Sequence, residues 1–163
     1  MTTRRRHWPF VTVLLLSALV GCSQSTTANN ADAIRAIEAA AQMWIARFTA
    51  GDLDGLTELY EPDAFVALHG QPAMRGVDAV RDYFSSRIGT PGARFDIDIE
   101  EIQVHGDVAH LISFYWFEVP AENAETFRDA GRSLLIYKYT PATGWRIYVD
   151  IDQATPDVNW DGR

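Results

Sequence analysis

At 163 residues, with 22 acidic side chains against 14 basic ones, the chain has one domain's length and lacks the basic face that nucleic acid requires. Its one cysteine, Cys22, lies near the N-terminus, so the rest of the sequence can form neither a disulfide nor a thiolate metal site. No glycine-rich phosphate loop, dinucleotide fingerprint, G-x-S-x-G turn or zinc-binding helix motif occurs, so neither a cofactor nor a metal is expected.

Residues 1–22, MTTRRRHWPFVTVLLLSALVGC, open with three arginines and continue into an apolar run too short for a stable membrane span, the pattern of a secretory leader. The closing Leu19-Val20-Gly21-Cys22 resembles the bacterial lipobox. That resemblance implies a lipidated Cys22 as the mature N-terminus, anchored to the membrane by its acyl chains. Ser23 after the cysteine resembles outer-membrane sorting, so the expected location is the bacterial envelope, with the domain facing the periplasm. Residues 23–31 are polar and aperiodic and read as a flexible tether. The domain is expected over residues 32–155, with a tail at 156–163. Without the leader's arginines, 11 basic residues face 22 acidic ones.

Ile34, Ile37, Ala41, Trp44, Ile45 and Phe48 recur at three- and four-residue spacing, predicting an amphipathic helix of about four turns. Asp32 is its expected N-cap and Gly51 its C-cap. Asp52 caps a second, shorter helix carrying Leu53, Leu56, Leu59 and Tyr60, which Pro62 ends. AFVALHG reads as a short strand closed by a turn through Gly70 and Pro72. A third helix follows Gly76, with Val77, Val80, Tyr83 and Phe84 inward.

After GTPGA the period changes to two. RFDIDIEEIQVH sets Phe95, Ile97 and Ile99 against Asp96, Asp98 and Glu100, a solvated acidic face that also discourages edge pairing. Gly106-Asp107 predicts a hairpin turn into VAHLISFYWFEV. AENAETFRDA reads as a polar connection, GRSLLIYKYT as a further strand, and PATG as the turn into GWRIYVDIDQ. Three helices followed by a strand meander make an α+β domain.

This order of elements, with GDLDGLTELYEPDAFVALHGQPAMRGVDAVRDYF and the closing YKYTPATGWRI, resembles the nuclear-transport-factor-2-like superfamily. The resemblance is to its SnoaL-like and ketosteroid-isomerase-like bacterial members, and it covers about residues 33–154. It implies a cone in which three N-terminal helices pack in the concave face of a strongly curved, mostly antiparallel sheet, with a pocket between them. It also implies a homodimer through the convex face. Tyr148, Asp150 and Asp152 would then point into the cone, and Ile147, Val149 and Ile151 outward against a partner subunit.

The same resemblance tests one activity. Ketosteroid isomerases use an aspartate base beside a tyrosine and a protonated aspartate. Those positions fall here at about Leu68, Trp44 and Leu135, which supply neither base nor acid, so steroid isomerisation by that mechanism is not expected. The leading expectation is a binding domain for a small, largely apolar molecule, held between Trp44, Tyr115, Tyr137 and Tyr148 with Asp152 at the rim. An enzyme of isomerase, dehydratase or hydrolase type remains open, with His69 or Asp150 as acid/base and Asp150 orienting the imidazole. So does an interaction module whose cone is filled by its own side chains. His69 also fits a plain turn residue, and Asp150 a carboxylate paired with Arg132 or Arg47.

Overall fold

The computed structural model describes residues 23–120 and 125–161. Cys22 and the leader lie outside them. Helix α1 (Ser23–Ala50) is followed by α2 (Leu53–Glu58), β1 (Tyr60–Ala67), β2 (Met74–Arg75) and α3 (Val77–Phe84). The four long strands are β3 (Arg94–His105), β4 (Val108–Val119), β5 (Phe127–Thr140) and β6 (Gly144–Ala154). Together with β1 and β2 they form one six-stranded sheet in the order β2-β1-β6-β5-β4-β3, antiparallel except where β1 runs parallel to β6. The expected α+β architecture, with helices N-terminal to a mostly antiparallel sheet, is the one observed.

Local chemistry sets most of the boundaries. Asp52 accepts the Gly55 amide at 2.9 Å, the N-cap bond that starts α2. Gly106 takes φ of 68° in the β3–β4 turn, which allows a two-residue hairpin. Where Gly131 of β5 faces Ala154 of β6, an added Cβ would lie 2.0 Å from the Gln153 carbonyl oxygen, so only glycine fits between these strands. The core lies between α1 and the concave face, through Ile37, Ala41, Phe48, Leu56, Val66, Val80, Leu111 and Tyr137.

Several expectations need correction. The backbone is helical from Ser23, so residues 23–31 continue α1 instead of forming a tether, and Asp32 sits within the helix, paired with Arg35, instead of capping it. Tyr60 is not the end of α2 but the first residue of β1, and that strand runs through Pro62. β5 begins at Phe127, inside the segment read as a polar connection.

The largest correction concerns β6. Its register against β5 shifts between Tyr137↔Ile147 and Ile136↔Val149, a β-bulge that leaves Tyr148 as the extra residue. Ile147 therefore faces inward and is 2% exposed, whereas Tyr148 turns to the convex side under the Lys138 ammonium, 3.1 Å from its ring centroid. Beyond the bulge the alternation resumes as expected, with Asp150 and Asp152 inward and Ile151 outward.

The tail is not an appendage. Val158 is buried, the Asn159 carbonyl accepts the Trp116 indole N–H at 2.7 Å, and Asp157 pairs with Arg132 at 2.6 Å. One end of the convex face is thereby covered by the chain itself. The exposed cross-strand pair Leu134 and Ile151 remains open further along it.

Candidate functional site

Between α1, α3 and the concave sheet lies a cavity of about 420 Å³. A cluster of aromatic rings forms part of its wall. Phe48 stacks on Trp44 at 5.1 Å and meets Phe84, Phe95 and Phe117 edge-on at 5.7–6.1 Å. These rings arrive from four elements because each element's apolar period turns one face inward: helical spacing on α1, two-residue alternation on β3 and β4.

One carboxyl group is built into this apolar wall. Asp150 is 7% exposed and lines the cavity. The Trp44 indole N–H donates to the Tyr60 hydroxyl oxygen at 2.9 Å, and the Tyr60 hydroxyl donates to Asp150 Oδ2 at 2.9 Å. Indole can only donate, so it fixes the direction of the relay, and Tyr60's single proton points to Asp150. Oδ2 is thus held as an acceptor, and the proton of the neutral acid belongs on Oδ1. Among the described residues Oδ1 has no hydrogen-bond partner.

Burial pushes the Asp150 carboxyl up to about 7, with the Asp152 charge adding and the Tyr60 hydrogen bond opposing. The Tyr60 hydroxyl is itself driven well above the usual tyrosine value, first by burial and then by Asp150. It therefore remains a donor across the physiological range.

A more polar region surrounds Asp129 and Asp152. The Tyr115 hydroxyl donates to Asp129 Oδ2 at 3.1 Å, and the His69 backbone amide donates to Asp152. Asp152 is raised by burial, with the His69 amide opposing. Ser113 and Ser133 hydrogen-bond across β4 and β5 at 2.8 Å, and both line the cavity. Arg87 lines it from the helical side, with its guanidinium on the Tyr83 carbonyl at 2.7 Å and over the Tyr83 ring at 4.0 Å.

The cavity brings together Trp44, Tyr115, His69, Asp150 and Asp152 from the residues singled out in the sequence. Two others lie elsewhere. Tyr148 is on the convex face, and Tyr137 is fully buried in the core, close enough to Asp150 to feel its charge but not on the cavity wall. The expected pairing of His69 with Asp150 is replaced by Tyr60, since His69 is exposed and engages Asp152 through its amide. Nor does Asp150 pair with Arg132 or Arg47. Arg132 holds Asp157 and Glu100 on the convex side, and Arg47 serves Gly55 and Asp52.

Sequence reasoning missed Tyr60, Asp129 and the serine pair. Extending the strand alternation back from Ser133 through Gly131 reaches Asp129 and Phe127, so that signal was present. Tyr60 meets Asp150 across 90 residues, and nothing local announces that. Among the described residues no group of histidine, cysteine or carboxylate side chains could hold a metal ion. None of their helices is long and apolar enough to cross a membrane.

Comparison with solved structures returns the same architecture. A proposed dehydratase of the NTF2-like family from Streptomyces avermitilis superposes with a TM-score of 0.67 at 15% identity, over 78% of this chain and 99% of its own. An NTF2-like protein with a cystatin-like fold from Novosphingobium aromaticivorans gives 0.68 at 16% identity, over 82% and 87%. A ketosteroid isomerase-like protein from Erwinia carotovora atroseptica gives 0.63 at 21%, over 74% and 95%. At these identities the likeness establishes fold alone. No curated protein matches the sequence. The family model of the SnoaL-like domain matches residues 41–146, which span α1 to β6 and nearly every wall of the cavity, and the chain belongs to that family.

Proposed function

We propose that this domain binds a small, largely apolar molecule in its aromatic cavity and exchanges a proton with it through Asp150. One observation carries this reading: a carboxyl group at the wall of an apolar cavity, fixed on one oxygen by Tyr60 and unpartnered on the other. Its value near 7 keeps acid and base forms both populated at neutral pH, the condition for general acid–base catalysis. As carboxylate, Asp150 would take a proton from a C–H or O–H presented to Oδ1. As neutral acid, it would return the proton to an oxygen or carbon of the same molecule. The Tyr60 hydrogen bond favours the charged form and keeps the carboxyl plane fixed against the cavity.

This chemistry suits isomerisation or dehydration, and two of the similar structures carry those names, as a proposed dehydratase and a ketosteroid isomerase-like protein. The base comes from the last strand, unlike the position the isomerase comparison indicated at Leu68. His69 is not needed for it.

The leader supports a location. We infer that Cys22 carries the acyl anchor and places the domain on the periplasmic side of the outer membrane, within reach of apolar molecules that partition into lipid. Native mass spectrometry of the full chain recovered from the membrane fraction tests both statements. The expected spectrum carries acyl chains on Cys22, lost in Cys22→Ser, and a retained small molecule, lost in Ile97→Trp, whose larger side chain occupies the cavity. A bare polypeptide in the soluble fraction contradicts both.

A further inference from the structure

Ser113 of β4 and Ser133 of β5 face each other in register, and both line the cavity. Ser113 is only 1% exposed, and across β3 it faces Ile99. Its inward neighbours along β4 are Leu111 and Tyr115, and those of Ser133 along β5 are Gly131 and Leu135. A hydroxyl taken out of water into such surroundings is costly unless its hydrogen bonds are made. The two oxygens lie 2.8 Å apart, so one serine donates to the other. Each hydroxyl has a single proton, so this bond uses one of the two and leaves the second. Among the described residues neither hydroxyl has another hydrogen-bond partner. Nearby donors are already engaged: Trp44 donates to Tyr60, Tyr60 to Asp150, and Tyr115 to Asp129. The pair therefore presents a free hydroxyl proton on the cavity wall.

The strand register fixes the pair relative to Asp150. Ser133 faces Asp152 on β6, and Leu135, two residues further along β5, faces Asp150. Two residues of strand span roughly 7 Å, so the serine row and Asp150 lie side by side on one wall. A ligand oxygen within hydrogen-bond length of the serines thus sets its neighbouring carbons within reach of Asp150. The charge of the wall selects the kind of oxygen. Asp129, Asp150 and Asp152 all line the cavity, so a carboxylate or phosphate on the ligand would meet like charge. A carbonyl oxygen is neutral and only accepts, which matches a site whose spare group is a proton.

We propose that Ser113 and Ser133 form a subsite for a neutral carbonyl oxygen, so that the ligand is an apolar carbonyl compound anchored by these two hydroxyls. The proposal rests on the reading of the cavity as a ligand site and narrows it to one chemical class. The probes 2-tetralone and tetralin share a bicyclic body and differ in one carbonyl. Each is titrated calorimetrically into the full chain at pH 8, where Asp150 is largely ionised and has no proton to offer. The test variant is Ser113→Ala with Ser133→Ala, which removes both partners of the bond together and leaves no hydroxyl unpaired. Its tetralone affinity is expected to fall about five- to tenfold, with tetralin binding unchanged or tighter. Ser133→Ala alone keeps one hydroxyl and should lose less, and it serves as the test if circular dichroism shows the double variant unfolded. An equal change in both probes, or a change in neither, overturns the serine subsite and leaves the cavity reading standing. Failure of both probes to bind the wild-type chain overturns both.

Discussion

Replacing Asp150 with Asn is expected to make the protein more stable at pH 8 by roughly 4 kcal/mol while leaving its stability near pH 4 almost unchanged. The folded carboxyl titrates near 7 and the unfolded one near the ordinary 3.8. Below the lower value both states hold the proton, and its contribution to stability is fully present. Between the two values the unfolded chain releases its proton while the folded chain still holds it, so stability falls as pH rises. Above about 7 both are ionised, the loss is complete, and a buried carboxylate remains. Asn keeps an oxygen for the Tyr60 hydroxyl and never ionises, so the variant escapes this loss. Urea unfolding of both proteins at the two pH values reads the difference directly, because the other titrating groups contribute equally to each. A wild-type-to-variant difference independent of pH would show that Asp150 titrates as an ordinary surface carboxyl. Such a gain on removing a reactive group is expected where a site is held at the expense of stability.

Phe48→Ala is expected to cost about 3–5 kcal/mol, the range for a large aromatic side chain removed from a packed core. Phe48 is 4% exposed, and its ring meets Trp44, Phe84, Phe95 and Phe117. Alanine there joins a new void to a cavity already present, so neighbouring rings have no reason to close over it. Trp44 also loses the surface on which it stacks, and with it the support of the relay to Tyr60. Phe127→Ala is the comparison: that ring is 57% exposed, and its removal should cost less than about 1 kcal/mol. Chemical denaturation of both variants checks this. A Phe48→Ala loss as small as that of Phe127→Ala would mean that the aromatic wall is not part of the core.

Much of the fold was legible because it follows from local rules. The Asp52 cap, the Gly106 turn and the two-residue alternation of β3 and β4 each act within a few residues, and each appears where the sequence predicts it. The site was legible only in part. Asp150 and Asp152 were placed correctly as inward-facing, whereas Tyr148 and Ile147 were exchanged. Alternation read across a bulge reverses every face on one side of it, and β6 has its bulge at Tyr148. Tyr60 looked helical because it continues the spacing of Leu53, Leu56 and Leu59, yet tertiary packing gives it to β1 and to Asp150. The tail gave no periodic signal at all. Its place depends on single contacts, those of Val158 and of Asn159 with Trp116.

The central claim is that Asp150 exchanges protons near neutral pH because it is buried in the cavity wall and Tyr60 steadies it. Carbon-detected NMR titration of the Asp150 side-chain carboxyl, in the wild-type chain and in Tyr60→Phe, tests this most directly. The predicted midpoint is near 7 in the wild type. It moves higher in Tyr60→Phe, because the hydrogen bond that favours the carboxylate is gone while burial remains. A wild-type midpoint near 4, or one that Tyr60→Phe leaves in place, would contradict the account.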